Sequence, residues 1–146
     1  MIATPLTTPT PVTVGGLIIP VMIATLFILL CGLLREPTRR NFSAVFVAGA
    51  GGVYFSGGFG PLELLFCAAI TLLAYRGLSD ARLTGVAWIF HSLWDLAHDL
   101  WGNPILPFAP SSSFGCFVCD PVIAAWYLWG APSPWSGFRD RRRARA

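Results

Sequence analysis

Five apolar stretches, separated by short polar breaks, set the pattern of the chain. Val14 to Leu34 carries no charge before Arg35, and about twenty such residues at about 1.5 Å each cross a hydrocarbon core of about 30 Å. Pro20 falls in the first two turns, where a missing N–H makes at most a mild kink. Residues 42–56 are apolar and crowded with small side chains; Ala44, Ala48, Gly52 and Ser56 recur every four positions, a stripe that lets helix backbones approach. The turn at 56–61 ends in Pro61, suited to the first position of a third helix over 62–76. Ser79 and Asp80 are N-cap choices for a fourth helix over 82–101, which Gly102-Asn103-Pro104 terminates. After a loop rich in proline and serine, Asp120-Pro121 reads as an N-cap followed by proline at the first helical position, opening a fifth helix over 120–130.

The pattern predicts an all-α, polytopic transmembrane helix bundle of five spans, at 14–34, 42–56, 62–76, 82–101 and 120–130, within a domain covering 14–131. A re-entrant hairpin over 42–76 is the alternative, with four spans. Residues 1–13 contain no lysine or arginine, so they read as a disordered N-terminal segment rather than a cleaved signal peptide. Residues 132–146 read as a basic tail.

Composition supports the membrane class: 55% of residues are hydrophobic and 12% charged, against roughly a quarter charged in soluble domains. All ten basic residues are arginine. Three lie at 35–40, two at Arg76 and Arg82, and five at Arg139, Arg141, Arg142, Arg143 and Arg145, so alternate breaks are basic. The positive-inside rule then predicts a multi-pass protein of the cell inner (plasma) membrane, N-terminus outside and C-terminus cytoplasmic. The tail would meet anionic lipids. Nothing else in the chain offers a basic surface for nucleic acid. The lipid bilayer is the expected partner, with a homo-oligomer or a larger membrane complex left open.

Candidate chemistry gathers at 88–121, which holds both histidines, Asp95, Asp99, Asp120, Cys116 and Cys119. At 100° per residue, His91, Asp95 and His98 share one helix face, between Trp88 and Trp94. An Asp facing lipid costs roughly 2.5 to 3.5 kcal/mol, so this face is expected to look into the bundle, with His91 near the midplane. The topology brings Glu63 and Asp120 to the same side, each at an expected helix start, where a carboxylate has a purely structural use. His91 and Asp95 (i, i+4), or Asp95 and His98 (i, i+3), can meet one ion, completed by Glu63 or Asp120. Such ligands suit a divalent transition metal without selecting one, and interhelical hydrogen bonding is the plain alternative. Cys116 and Cys119 form a CxxC, open to a disulfide, free thiols, redox chemistry or a soft-metal half-site. Ser111, Ser112 and Ser113 lack the G-x-S-x-G setting of a serine hydrolase and read as turn residues.

The stretch HSLWDLAHDLWGNPILPFAPSSSFGCFVCDPVIAAW, residues 91–126, together with AVFVAGAGGVYFSGGFGPLEL, residues 44–64, resembles a family of small polytopic membrane proteins of unknown function. The resemblance implies a membrane fold and no particular reaction. It also implies a second histidine where this chain carries Asp99.

Three functions stand open on the sequence. One is a metal-dependent membrane enzyme that uses an ion to activate water or an oxidant. Another is a transporter or proton-relay subunit. The third is a structural accessory of a membrane complex.

Overall fold

The computed structural model describes residues 8–56 and 58–136. Among them the regular structure is helical, with no strand: α1 (Val14–Cys31), α2 (Thr38–Gly52, extended by a 3-10 turn at Val53–Ser56), α3 (Pro61–Gly77), α4 (Ala81–Trp101) and α5 (Ser112–Leu128). Local signals explain most of these starts. Thr13 caps α1, its hydroxyl accepting from the Gly16 amide at 3.0 Å. Asp80 caps α4 in the same way through the Arg82 amide at 2.9 Å. Pro61 opens α3 after Gly60, whose φ of 59° is cheap only without a Cβ.

α4 is the central element, packed against α2, α3 and most extensively α5, while α1 lies along α5. Close approach is made by glycines. A Cβ on Gly85 of α4 would meet Leu128 Cγ at 2.9 Å and the Ala124 carbonyl at 3.1 Å. One on Gly51 of α2 would meet Ile70 of α3 at 2.5 Å. The contact stripe of α2 is therefore turned one position from the expected one: Ala44, Val47 and Gly51 are buried, and Gly52 is only half-buried.

Two helix boundaries differ from the expected ones for physical reasons. α2 begins at Thr38, inside the expected arginine loop. Arg39 is accommodated because its Nε donates to Glu36 Oε1 at 2.8 Å and its guanidinium lies 5.7 Å from the Trp126 ring centroid. α5 begins at Ser112 rather than Asp120, which places Cys116, Cys119, Asp120 and Pro121 inside the helix. Proline removes the amide that would bond the carbonyl four residues back, here that of Phe117. The Ser92 hydroxyl on α4 donates to that carbonyl at 3.0 Å. The start at Ser112 is secured by its neighbours, since the Ser112 and Ser113 hydroxyls accept the Leu106 and Ile105 amides, both at 2.9 Å.

The ends are better tied than expected. Thr10 donates its hydroxyl proton to Asp99 Oδ1 at 2.6 Å, so the segment at 8–13 is held over the end of α4. Ser133 and Trp135 donate to the Gly32 and Leu29 carbonyls at 3.0 and 2.9 Å, fastening 132–136 to α1. The five tail arginines and residues 1–7 lie outside the described residues.

Large apolar side chains lie on the surface as well as in the core, and several ionisable groups are buried. Ile19, Met22, Leu30, Leu64, Leu65 and Leu72 are exposed, whereas Glu63, His91, Asp95, His98 and Asp120 are buried. Among the described residues, α1 alone is long and apolar enough to cross a bilayer by itself, and only 17% of it is buried. That share is too small for the core helix of a soluble protein, and leaves a span or an N-terminal signal sequence as its readings.

Candidate metal centre

α4 carries both histidines on its inward face, and each meets a carboxylate from a different neighbouring helix. His91 Nδ1 lies 2.9 Å from Asp95 Oδ2, one turn along α4, and 2.8 Å from Asp120 Oδ2 of α5. All three residues are buried, and each offers a ligand atom within 4.8 Å of the other two. Asp120 reaches this point because α5 continues through it; as an N-cap at a helix start it would have stood at the rim.

One turn further along α4 is a second pair. His98 Nε2 lies 3.3 Å from Glu63 Oε1 of α3, both groups fully enclosed. Glu63 is pinned by two donors, the Phe59 amide on Oε1 at 3.1 Å and the Trp94 indole on Oε2 at 3.2 Å. The first of these is the structural use expected of a carboxylate at a helix start, so Glu63 has that use and meets His98 as well. His98 Nδ1 meets the Asn103 carbonyl at 3.1 Å.

The expected convergence thus divides. Asp120 completes His91 and Asp95, Glu63 joins His98, and Asp95 is spent on His91 and not on His98. Cys116 and Cys119 are free thiols one turn apart on α5, half-buried against the apolar core rather than in a loop at the rim.

Tyr54 gives no signal in the sequence, being a single tyrosine in an apolar, small-residue stretch. Its hydroxyl donates to Asp95 Oδ1 at 2.5 Å and its ring stacks on His98, with centroids 3.9 Å apart. Because a phenol has one proton and gives it to Asp95, the Ser113 hydroxyl at 2.9 Å must donate to Tyr54. Ser113 in turn accepts from the Ile105 amide. The chain from Ile105 through Ser113 and Tyr54 to Asp95 has one direction, and every donor points at the carboxylate. With its oxygen so engaged and no histidine bonded to it, Ser113 is a link in this chain and not a hydrolase nucleophile.

The acids of the site form their ion pairs with histidines. Among the described residues, the ion pairs of Asp95, Asp120 and Glu63 are all with His91 or His98, and the one arginine pair is Arg39 with Glu36. Two histidines balance three buried carboxyls only if a carboxyl carries a proton or a cation joins them, since an uncompensated buried charge costs several kcal/mol. Asp95 Oδ2 and His98 Nε2 are also buried without a hydrogen-bond partner, the kind of orphan that an ion or water accounts for; His91 Nε2 is unpartnered too but is not an atom of the Nδ1 face.

Residues 15–133 match a family of unknown function, DUF6010, and the chain belongs to that family. No curated protein and no solved structure matches it.

Proposed function

We propose that this member of the family is a multi-pass inner-membrane protein in which His91, Asp95 and Asp120 hold a divalent transition-metal ion, as the centre of a metal-dependent membrane enzyme. The observation that carries the reading is the three-atom face of His91 Nδ1, Asp95 Oδ2 and Asp120 Oδ2, drawn from two helices and closed to solvent. Its spacings of 2.9 and 2.8 Å suit adjacent ligands of an octahedral ion, which stand about 2.9 Å apart when each metal–ligand bond is about 2.05 Å. One imidazole and two carboxylates leave positions for water, whose proton such an ion makes easier to remove. The membrane part rests on the surface: many leucines and isoleucines of α1 and α3 are exposed while Glu63, Asp95 and Asp120 are buried, so the outer surface suits lipid and these acids avoid it.

The directed chain through Tyr54 favours this reading over a proton relay. It ends on the Ile105 backbone amide, which does not surrender its proton, so this arm orients Asp95 and conducts nothing. Holding one carboxylate oxygen so that the other faces the ion is the usual task of groups behind a metal ligand.

Metal analysis of the full chain purified in detergent tests the proposal. One equivalent retained through gel filtration, and lost in the His91→Ala, Asp95→Ala double variant and in Asp120→Asn, supports it. A metal-free wild type after exposure to manganese, iron and zinc, or equal metal in the variants, refutes it.

A further inference from the structure

The second histidine presents a different problem. The Asn103 carbonyl is only an acceptor, so the proton on the neutral His98 ring sits on Nδ1, where it is donated at 3.1 Å. Nε2 is then a bare lone pair. It faces Glu63 Oε1, another acceptor, at 3.3 Å. Glu63 is held in this position by the Phe59 amide and the Trp94 indole, and His98 by Asn103 and by the stacked Tyr54 ring, so neither group is free to turn away.

A shared proton is a poor solution for this pair. Although the two atoms stand 3.3 Å apart, Nε2 has no partner that meets hydrogen-bond geometry. A hydrogen bond requires alignment and weakens steeply below about 120°. A cation does not require it: ligands of a tetrahedral ion with bonds of about 2.0 Å stand about 3.3 Å apart and subtend the metal at an angle. The pair is fully buried, and its nitrogen and oxygen donors are those of zinc-like ions.

We propose that His98 Nε2 and Glu63 Oε1 are the protein half of a second divalent cation site, for an ion of the zinc class, distinct from the centre at His91. The Tyr54 ring lies between the two: it stacks on His98 and bonds Asp95, so the sites share a wall and no ligand. Two protein ligands leave the remaining positions of a tetrahedral ion to oxygen donors such as water.

The two sites can be separated by equilibrium titration of the metal-stripped full chain in detergent with zinc and with cobalt, reading stoichiometry by calorimetry and coordination by the visible absorption of cobalt. Wild type is expected to take two equivalents. Glu63→Gln, which keeps the side chain's size and one of the two acceptor oxygens that Phe59 and Trp94 use, is expected to take one, with the affinity of the lost site reduced at least tenfold. Asp120→Asn is expected to lose the other equivalent and keep a tetrahedral cobalt spectrum that disappears when His98→Gln is added. Two equivalents retained in Glu63→Gln overturn the second site. So does a wild-type stoichiometry of one that Asp120→Asn abolishes, an outcome that leaves the centre at His91 standing. Should Glu63→Gln fail to fold, the Asp120→Asn titration decides alone: an ion retained and lost with His98→Gln supports the site, and no ion retained overturns it.

Discussion

The hydroxyl of Ser92 on α4 donates at 3.0 Å to the carbonyl of Phe117 on α5, the oxygen that Pro121 leaves without an amide partner. The bond satisfies that oxygen where α5 continues through a proline, and the continued helix lets Asp120 stand opposite His91. Ser92→Ala is expected to destabilise the protein by about 1 to 3 kcal/mol, the cost of an orphaned buried acceptor. In a Pro121→Ala background, where the helix supplies its own amide, the same change is expected to cost much less. Thermal unfolding of the four proteins in detergent measures the difference; equal costs in both backgrounds refute the coupling.

Tyr54 should matter for metal binding without being a ligand. Tyr54→Phe keeps the ring on His98 and removes the bond to Asp95 Oδ1. Losing a group behind a metal ligand weakens affinity about 10- to 100-fold. Competition against a chelator of known affinity gives that ratio. Ser113→Ala, one step further from Asp95, is expected to show a smaller loss with the same sign, whereas unchanged affinity in both would refute the positioning role.

Glycines in the bundle are not equivalent. At Gly85 a Cβ runs into Leu128 and the Ala124 carbonyl, while at Gly49 it meets nothing within 4 Å. Gly85→Val is expected to destabilise by about 1 to 3 kcal/mol through overpacking. Gly49→Ala is expected to be neutral or to stabilise by up to about 1 kcal/mol, since alanine restricts the unfolded chain. Melting curves of the two variants should move in opposite directions, or only the first should move.

The fold gives the membrane reading two ends to test. Thr10 with Asp99, and Gly58 beside Asn103, gather the 8–13, 58–60 and 102–111 segments at one end. Gly32 with Ser133, and Leu29 with Trp135, gather the other. Single cysteines placed in a cysteine-free chain at Phe108 and at Glu36, in sealed spheroplasts, are expected to react oppositely with an impermeant maleimide: Phe108 labelled, Glu36 protected. Labelling of both, or the reverse, removes the proposed orientation.

The sequence by itself determined the number of helices and their approximate places. Helix periodicity, the cap at Asp80 and Pro61 at a first turn are local physics, and each stands where the chain order put it. It also determined that His91, Asp95 and His98 share a face, because spacing along one helix is enough to say so. Pairing across helices was decided only by the tertiary structure. Asp120-Pro121 has the local form of a helix start, and nothing within the segment reveals that a serine on another helix replaces the bond the proline removes. Tyr54 lies 41 positions from the carboxylate it orients, a separation no periodicity spans. Where Asp120 stands, which acid each histidine meets, and what holds Asp95 in place all depend on contacts between distant segments. Local pattern fixes which way a side chain faces, and packing alone chooses its partner.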